Sequence, residues 1–325
     1  MKVLFPRHGN SFMDYIIYKG IKVADMGRVV ASTSLSSYKS VIDTSYIENS
    51  GDVRAVVRVN GHMIGDKESN MTLPFTLRFY LYYGSEQIRI QHSFVYDGNQ
   101  NNDFIKSLGL QFDVPFRETV YNRHVAFSFD KDSVWTEPVQ PLDGRRELNR
   151  DHNYLSDQMN GLRIPEYATF DEEQKKLLDD WAVWDGFRLS QLNDGSFTIR
   201  KRATGKSPWI GTFTGTKSFG LAFVGDVSGG ISATLKDFWQ SYPSTLQIDS
   251  ARANMARMTV WLWSPEAEPM DLRHYDNRAH GLESSYEDVQ KGMSEPYGIG
   301  RTSIITLRPY SSYPGKQCLK QDAIV

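Results

Sequence analysis

The stretch FTLRFYLYYGSEQIRIQHSFVY, residues 75–96, places apolar or aromatic side chains at nearly every second position, with Thr, Arg, Gln and Ser between them. Alternation with a period of two is the pattern of a β-strand that buries one face and exposes the other. Gly84 and Ser85 interrupt the alternation with the composition of a tight turn. The stretch therefore predicts two consecutive antiparallel strands joined by a hairpin.

The same alternation recurs in both halves of the chain. It is found in VRAVVRV, FRLSQL, FTIRKRA, FGLAFVGD and RMTVWLW, at 53–59, 187–192, 197–203, 219–226 and 257–263. Helical patterns are few: 169–181 has Thr169 as its expected N-cap, and 282–293 forms a short amphipathic pattern. Many strands separated by turns predict an all-β fold, a large antiparallel, supersandwich-like β-sandwich with a few short helices in long loops.

The strand patterns also define the expected domain organisation. They fill 48–307, which predicts a central β-sandwich, while 1–47 has the character of an N-terminal lead-in left from a preceding domain and 308–325 that of an irregular tail. Residues 130–168 are polar and contain Pro138, Pro141 and Pro165. We expect them to form a long excursion between two sheet-forming halves, where functional residues are commonly found.

Charge and composition argue against several classes of function. The 325 residues carry a formal net charge of -2 and no clustered Lys and Arg, so neither nucleic acid nor an anionic membrane is an expected partner. The sequence has no GxSxG, Walker, GxGxxG or HExxH motif, which removes the basis for a nucleotide or zinc-hydrolase function. The single cysteine, Cys318, excludes an intrachain disulfide.

The N-terminal stretch lacks the apolar core of a secretion signal, because Pro6, Arg7, His8 and Asp14 interrupt it. The literal expectation is a cytoplasmic protein. A chain trimmed from a longer secreted precursor would begin in the same way.

One loop has a calcium-like spacing. DGNQNND, residues 97–103, places side-chain oxygens at Asp97, Asn99, Asn101 and Asp103. It lacks the glycine and distal glutamate positions of an EF-hand. A polar hairpin tip is therefore the preferred interpretation, with calcium as the weaker alternative and no other metal or cofactor predicted.

Two stretches combine arginine with side chains that transfer protons. NRHV, residues 122–125, sets Arg123 beside His124; on a strand these point to opposite sides, and a histidine there is more often structural than catalytic. WLWSPEAEPMDLRHYD, residues 261–276, ends with Arg273, His274 and Tyr275. The plainer alternative is that this second stretch is a core strand followed by a Pro-kinked turn with solvated charges.

The aromatic content of 13% suits both sheet cores and clefts in which sugars stack. Trp135, which precedes a Pro-bounded loop, and Trp239 in DFWQSYP, residues 237–243, are the candidate stacking platforms. Each of them alone is better explained as part of the core.

Taken in order, the motifs of this chain resemble those of one family. They are RFYLYYGSEQIRIQHSFVYDG, DFIKSLGLQF, YNRHVAF, WTEPVQPLDGRR, GFRLSQLNDGSFTIRKR, GLAFVGDVSGG, DFWQSYPSTLQID and WLWSPEAEPMDLRHYD. From roughly Glu48 to Leu307, the chain resembles the central β-sandwich domain of exo-rhamnogalacturonan lyase and YetA-like proteins. Members of that family also carry a RIFT barrel and an α/α toroid, so the resemblance implies the sandwich and, only by extension, the activity.

The implied activity is exo-acting β-elimination at galacturonic acid in rhamnogalacturonan, and the implied partner is an acidic plant polysaccharide or oligosaccharide. Such chemistry needs a cation at the uronate carboxylate, a base near the abstracted proton and an acid near the leaving oxygen. By residue type and neighbourhood, the candidates are Arg123, Arg273, Arg145 and Arg146 for the carboxylate, His124, His274 and Tyr275 for proton transfer, and Trp135 and Trp239 for stacking. The alternative is a non-catalytic carbohydrate-binding or supporting β-sandwich domain of a larger enzyme.

Overall fold

The structure is a computed structural model that describes residues 1–66, 71–130, 133–142, 148–149, 151–273 and 295–324. The strands of its first part are β1 (Lys2–Leu4), β2 (Met13–Tyr18), β3 (Ile21–Thr33), β4 (Ser37–Ser50), β5 (Arg54–Gly65), β6 (Phe75–Tyr82), β7 (Ile88–Val95), β8 (Ile105–Pro115), β9 (Arg123–Ser128) and β10 (Val134–Pro138). Those of its second part are β11 (Gly186–Gln191), β12 (Phe197–Arg202), β13 (Ile210–Gly215), β14 (Leu221–Asp226), β15 (Gly229–Leu235), β16 (Ser244–Asp249), β17 (Met255–Trp263) and β18 (Gly300–Tyr310).

These strands pair antiparallel into two arms. The first arm runs in the order β13–β12–β11–β16–β17–β8–β3, with β2 and β1 continuing from the N-terminal half of β3. The second runs in the order β4–β5–β6–β7–β18–β15–β14–β9–β10, and the β3–β4 hairpin joins the two. Strands β14 and β15 contact β3, β8 and β16 without pairing with them, so the arms are stacked layers. The predicted large antiparallel β-sandwich is confirmed.

The alternation in the sequence sets which face of each strand is buried. On β6, Phe75, Leu77 and Phe79 are at most 4% exposed, whereas the residues between them are half-buried. The expected hairpin is formed, because β6 and β7 pair from Phe75 opposite Phe94 to Leu81 opposite Ile88. Both arms send such apolar faces into one core.

Three short α-helices accompany the strands: α1 (Tyr154–Met159), α2 (Glu172–Asp180) and α3 (Gly315–Ala323). Helix α2 confirms the helical pattern predicted at 169–181, but Thr169 is not its cap. Asp171 is the N-cap and forms a capping box with Gln174, while the Thr169 hydroxyl donates to the carbonyl of Glu166 at 2.6 Å. The helix predicted at 282–293 lies outside the described residues. None of the described helices has the length and apolar character required to cross a membrane.

The two ends of the chain differ from what was expected of them. Phe12, Met13 and Ile16, within the 1–47 lead-in, are fully buried in the main core, because β1 to β4 belong to the first arm and its junction with the second. The expected irregular tail instead ends in α3, whose buried Leu319 and Ala323 pack into a second apolar cluster beside β14. The apolar side chains of Leu319 and Ala323, four residues apart, lie on one side of this short helix.

Residues of the polar excursion build a third, smaller cluster. Helices α1 and α2 and the 3₁₀ turn before β9 surround a small apolar cluster. Its buried residues are Tyr121, Leu142, Leu148, Ile164, Phe170 and Leu178. The excursion is therefore a packed structure that lies against β9 and β10.

Candidate functional site

One outer face of the sandwich carries a row of polar side chains that crosses six neighbouring strands. The residues, each directly opposite the next, are Arg200, Arg188, Gln247, Thr259, Gln111 and Arg28. Side chains directly opposite each other in antiparallel strands share a face. The alternate positions, among them Leu189, Ile199 and Leu246, are fully buried in the core, so the polar row faces outward.

An indole ring packs against two guanidinium groups on this face. Trp209, in the loop between β12 and β13, has its ring 4.0 Å from the guanidinium carbon of Arg188 and 4.4 Å from that of Arg202. Arg202 also forms an ion pair with Asp249 at 2.5 Å. These contacts hold the indole and both arginines in place, because cation–π contacts strengthen when the cation is partly desolvated.

A carboxylate from the segment after β17 bridges two arginines. Glu266 lies 2.8 Å from Arg188 and 3.2 Å from Arg200, and the hydroxyl of Ser190 donates to its other oxygen. Within the described residues, Glu266 is the only group that accepts from Arg200, whose side chain is 34% exposed. Arg200 therefore keeps donors that point to solvent.

A second indole extends the same face. Trp261 on β17 donates its Nε1–H to Gln247 at 3.1 Å and lies opposite Gly109 on β8. A Cβ at Gly109 would stand 2.8 Å from the Trp261 ring, so only glycine leaves the indole this position. We call the surface the arginine face and define it by Arg188, Arg200, Arg202, Trp209, Gln247, Trp261 and Glu266.

The arginines that form ion pairs on this outer face outnumber the carboxylates they pair with. Five arginines (Arg28, Arg188, Arg200, Arg202 and Arg257) meet three carboxylates (Asp113, Asp249 and Glu266), and 5 − 3 leaves +2. Asp25, opposite Asp113, is paired with Lys22 at 3.1 Å and adds nothing to this sum. Burial lowers the pKa of the Arg188 guanidinium and Glu266 opposes that shift. Among the described atoms, the Nε groups of Arg188 and Arg202 are buried donors without an acceptor.

The first predicted pair, Arg123 and His124, lies elsewhere and is buried. Arg123 is 6% exposed and donates to the carbonyls of Glu118, Ala251 and Ala253 at 2.6 to 3.0 Å. His124 is 1% exposed, and its Nε2 lies 2.9 Å from the carbonyl of Gln158. Burial lowers the pKa of His124 to about 4. A sugar ring has no access to either side chain in this structure, and the hydrogen bonds give both a structural role.

The predicted stacking residues are partly buried. Trp135 lies on β10 rather than in a loop, because its backbone pairs with Phe127, and its ring packs against Phe127 and Phe187. Trp239 lies in the turn after β15, with the Lys217 ammonium 4.0 Å from its ring centre. Neither contributes to the arginine face.

Arg273 is exposed and donates to Asp271 through Nε and Nη2, with its guanidinium 5.0 Å from the ring of Phe104. Arg145, Arg146, His274 and Tyr275 lie outside the described residues, and their roles stay predictions. The structure thus brings none of the described candidates together into one site.

In the loop with calcium-like spacing, the carboxylate oxygens of Asp97 and Asp103 accept hydrogen bonds from backbone amides of the protein. Asp97 accepts from the amides of Thr72 and Leu73 at 2.8 to 3.1 Å, and Asp103 accepts from the amide of Asn99 at 2.7 Å. Such bonds are typical of polar turns. In the part of the chain that the structure describes, no three His, Cys, Asp or Glu side chains are grouped as metal ligands.

The fold defines the class of protein, a large antiparallel β-sandwich. Residues 1–323 match the family described as PcRGLX-like protein central beta sandwich domain. The chain is also 33% identical over 326 residues to YetA of Bacillus subtilis (strain 168). The aligned region covers 96% of this chain and 37% of YetA. The chain belongs to the PcRGLX-like family, as its central β-sandwich domain. It spans little more than a third of the relative's length.

Two solved structures to which this chain is similar are described as galactose mutarotase-like or galactose mutarotase related. A galactose mutarotase-like protein from Clostridium acetobutylicum is 12% identical, with 88% of this chain and 79% of that chain covered and a TM-score of 0.37. A galactose mutarotase related enzyme from Lactobacillus acidophilus is 8% identical, with 97% and 96% covered and a TM-score of 0.39. Likeness of this degree assigns no role to any residue of this chain.

Proposed function

We propose that the arginine face binds the carboxylate and the ring of an acidic sugar, and that the chain is the glycan-holding sandwich of a protein that acts on rhamnogalacturonan. The observation that carries this proposal is that Arg200 and Arg188 share one outer face with two indoles. Trp209 contacts Arg188, and Trp261 donates to Gln247, which lies opposite Arg188. Guanidinium groups bind carboxylates through paired N–H donors, and indole faces stack against the C–H surfaces of sugar rings.

The charge distribution favours an acidic ligand over a neutral one. The whole chain has a net charge of -2, whereas the five arginines and three carboxylates that pair with one another on this outer face leave +2. A local excess of positive charge on a net negative protein attracts a carboxylate to this surface in particular. Arg200, the most exposed of the three arginines that contact Trp209 or Glu266, is the expected first contact.

Family membership supports a lyase reaction, in which the proton at C5 of galacturonate is abstracted and the glycosidic oxygen leaves from C4. The arginine face offers groups that would neutralise the uronate carboxylate and so lower the barrier to proton removal. The base and the acid remain to be assigned. His274 and Tyr275 are proposed for these roles, since they follow Glu266 and Arg273 in the sequence.

The burial of Arg123 and His124 favours the second candidate, a sandwich that binds glycan without cleaving it. Incubation with rhamnogalacturonan I oligosaccharides, with and without calcium, separates the two. A rise in the ultraviolet absorbance of unsaturated uronate supports the lyase, and saturable binding without turnover supports the binding domain. Absence of both, with the folded state confirmed by circular dichroism, contradicts the proposal.

Arg200→Gln is expected to weaken the binding of a galacturonate-containing oligosaccharide by about 10-fold, the effect of losing a charge-assisted hydrogen bond of roughly 1.4 kcal/mol. Isothermal titration calorimetry at low salt measures this change. Arg54→Gln is the matched control, since Arg54 is an exposed arginine on β5 in the other arm. Equal affinities for the two variants would place the acidic sugar elsewhere.

A further inference from the structure

A separate cleft opens where the excursion meets the edge of the sandwich. It has a volume of about 440 Å³ and lies between β10, β12 and helices α1 and α2. We call it the tryptophan cleft and define it by Glu137, Leu155, Trp181, Ala182, Trp184 and Lys201. Its size falls within the range of about 300–1,000 Å³ that is usual for small-molecule sites.

The cleft lies on the opposite side of β12 from the arginine face. Arg200 and Arg202 point outward, whereas Ile199 points into the core and Lys201, two residues further on, reaches the end of that core. Lys201 forms an ion pair with Glu137, and both side chains are about five-sixths buried, at 16% and 15% exposed. A lysine directed to the core side of a strand needs such a partner.

Two indoles provide apolar walls beside this ion pair. The Lys201 ammonium lies 4.0 Å from the ring centre of Trp184. Both tryptophans are held by their backbones, because Trp181 ends α2 and donates to Leu177 at 3.1 Å, and Trp184 donates to Val139 at 2.9 Å. The cleft is therefore formed before any ligand arrives, which lowers the entropy cost of binding.

We propose that the tryptophan cleft binds a neutral pyranose ring. The indoles match the apolar C–H face of such a ring, and the ion pair matches its hydroxyl groups, since a carboxylate accepts from a hydroxyl while an ammonium donates to its oxygen. A charged sugar is disfavoured because the Glu137–Lys201 pair is already neutral. A purely apolar ligand would desolvate the pair without forming hydrogen bonds to it.

This site is independent of the acidic-sugar site. An electrostatically bound uronate loses affinity as salt rises, whereas a neutral ring held by stacking and hydrogen bonds does not. The affinities of the two sites can therefore be measured separately in one protein. Failure of the arginine face to bind galacturonate leaves the neutral site unaffected, and the reverse also holds.

Titration of the whole chain with methyl β-galactoside and methyl α-rhamnoside, followed by the indole N–H signals in ¹H–¹⁵N spectra, tests the proposal. We expect saturable shifts of two indole signals, with a Kd of about 1 mM, typical of a small ligand with few contacts. The Kd should be the same at about 50 mM and about 500 mM sodium chloride, which screen charges weakly and strongly.

Ala182→Phe fills the cleft from an exposed position, and Leu155→Trp fills it from α1. Each is expected to weaken binding of the neutral glycoside at least about 10-fold, whereas Ala168→Phe, an exposed alanine of the same excursion, and Arg200→Gln should leave it unchanged. Three results overturn the proposal. The first is that neither neutral glycoside binds to the chain. The others are that binding survives both filling variants, or that it is lost in Arg200→Gln.

Discussion

Asp322→Ala is expected to lower the free energy of unfolding by about 3 kcal/mol, the effect of removing one partner from a buried ion pair. Asp322 is 4% exposed and accepts from both Arg308 and the hydroxyl of Tyr310. Burial, followed by the hydrogen bond to Asp322, raises the pKa of Tyr310 well above its usual range. After the substitution, the buried hydroxyl of Tyr310 would keep, among the described residues, its hydrogen bond with Ser232 at 3.2 Å.

Urea unfolding at pH 7 measures the loss. Asp52→Ala is the control, because Asp52 is exposed in the turn between β4 and β5, and we expect it to change stability by less than about 0.5 kcal/mol. Tyr310→Phe should cost less than Asp322→Ala, and the double variant should cost less than the sum, since the two residues share one contact. If Asp322→Ala unfolds like Asp52→Ala, helix α3 contributes little to the stability of the sandwich.

The same cluster shows where local sequence patterns stop being informative. The alternation at 75–96 predicted β6 and β7 because the pattern and the hairpin turn lie within one short stretch. Nothing adjacent to Leu319 and Ala323 signals that β14 offers an apolar surface to them. Helix α3 depends on that long-range contact, so its residues looked irregular.

The arginine face was missed for a related reason. The sequence FTIRKRA places Arg200 and Arg202 on one side of a strand, and that signal was available. That Arg200 and Arg202 share a face with Trp209 and Trp261 depends on the register of β11 against both β12 and β16. It also depends on the register of β16 against β17. Register between distant strands is a property of the whole sheet, so residue type and sequence neighbourhood could not supply it.

The positions of Arg123 and His124 show a different effect. On a strand the two side chains point to opposite sides, so at most one of them was expected to point into any given cleft. Every residue of β9 is buried, because the core covers one side of the strand and the excursion with α3 covers the other. A strand covered on both sides turns an Arg-His pair into two internal hydrogen-bonding groups.

Lowering the pH from 6.5 to 4 is expected to remove about 3 kcal/mol of stability for each of two buried histidines, His92 and His124, as calculated from the shift of their pKa values. Burial lowers the pKa of each from 6.5 to about 4. Between these values the unfolded chain binds a proton that the folded chain does not. The stabilising contribution is therefore complete above pH 6.5 and is lost as the pH falls toward 4.

His92→Leu isolates one of these contributions. His92 is 1% exposed beside the rings of Phe75 and Phe94, and among the described atoms neither of its ring nitrogens has a hydrogen-bond partner. Leucine of similar size should pack there without an unpaired polar group, so stability at pH 7 should be equal or higher. The acid-dependent loss of stability between pH 6.5 and 4 should shrink by about 3 kcal/mol.

Urea unfolding at several pH values measures both effects, and His62→Leu is the matched control. His62 is a partly exposed histidine, with 33% of its side chain accessible, that lies 3.0 Å from Asp43, so its replacement controls for the loss of a histidine outside the core. Carboxylates that titrate in the same window are common to all three proteins and cancel in the comparison. If wild type and His92→Leu lose stability in parallel, protonation of His92 does not oppose folding, and water must reach this ring in the folded state.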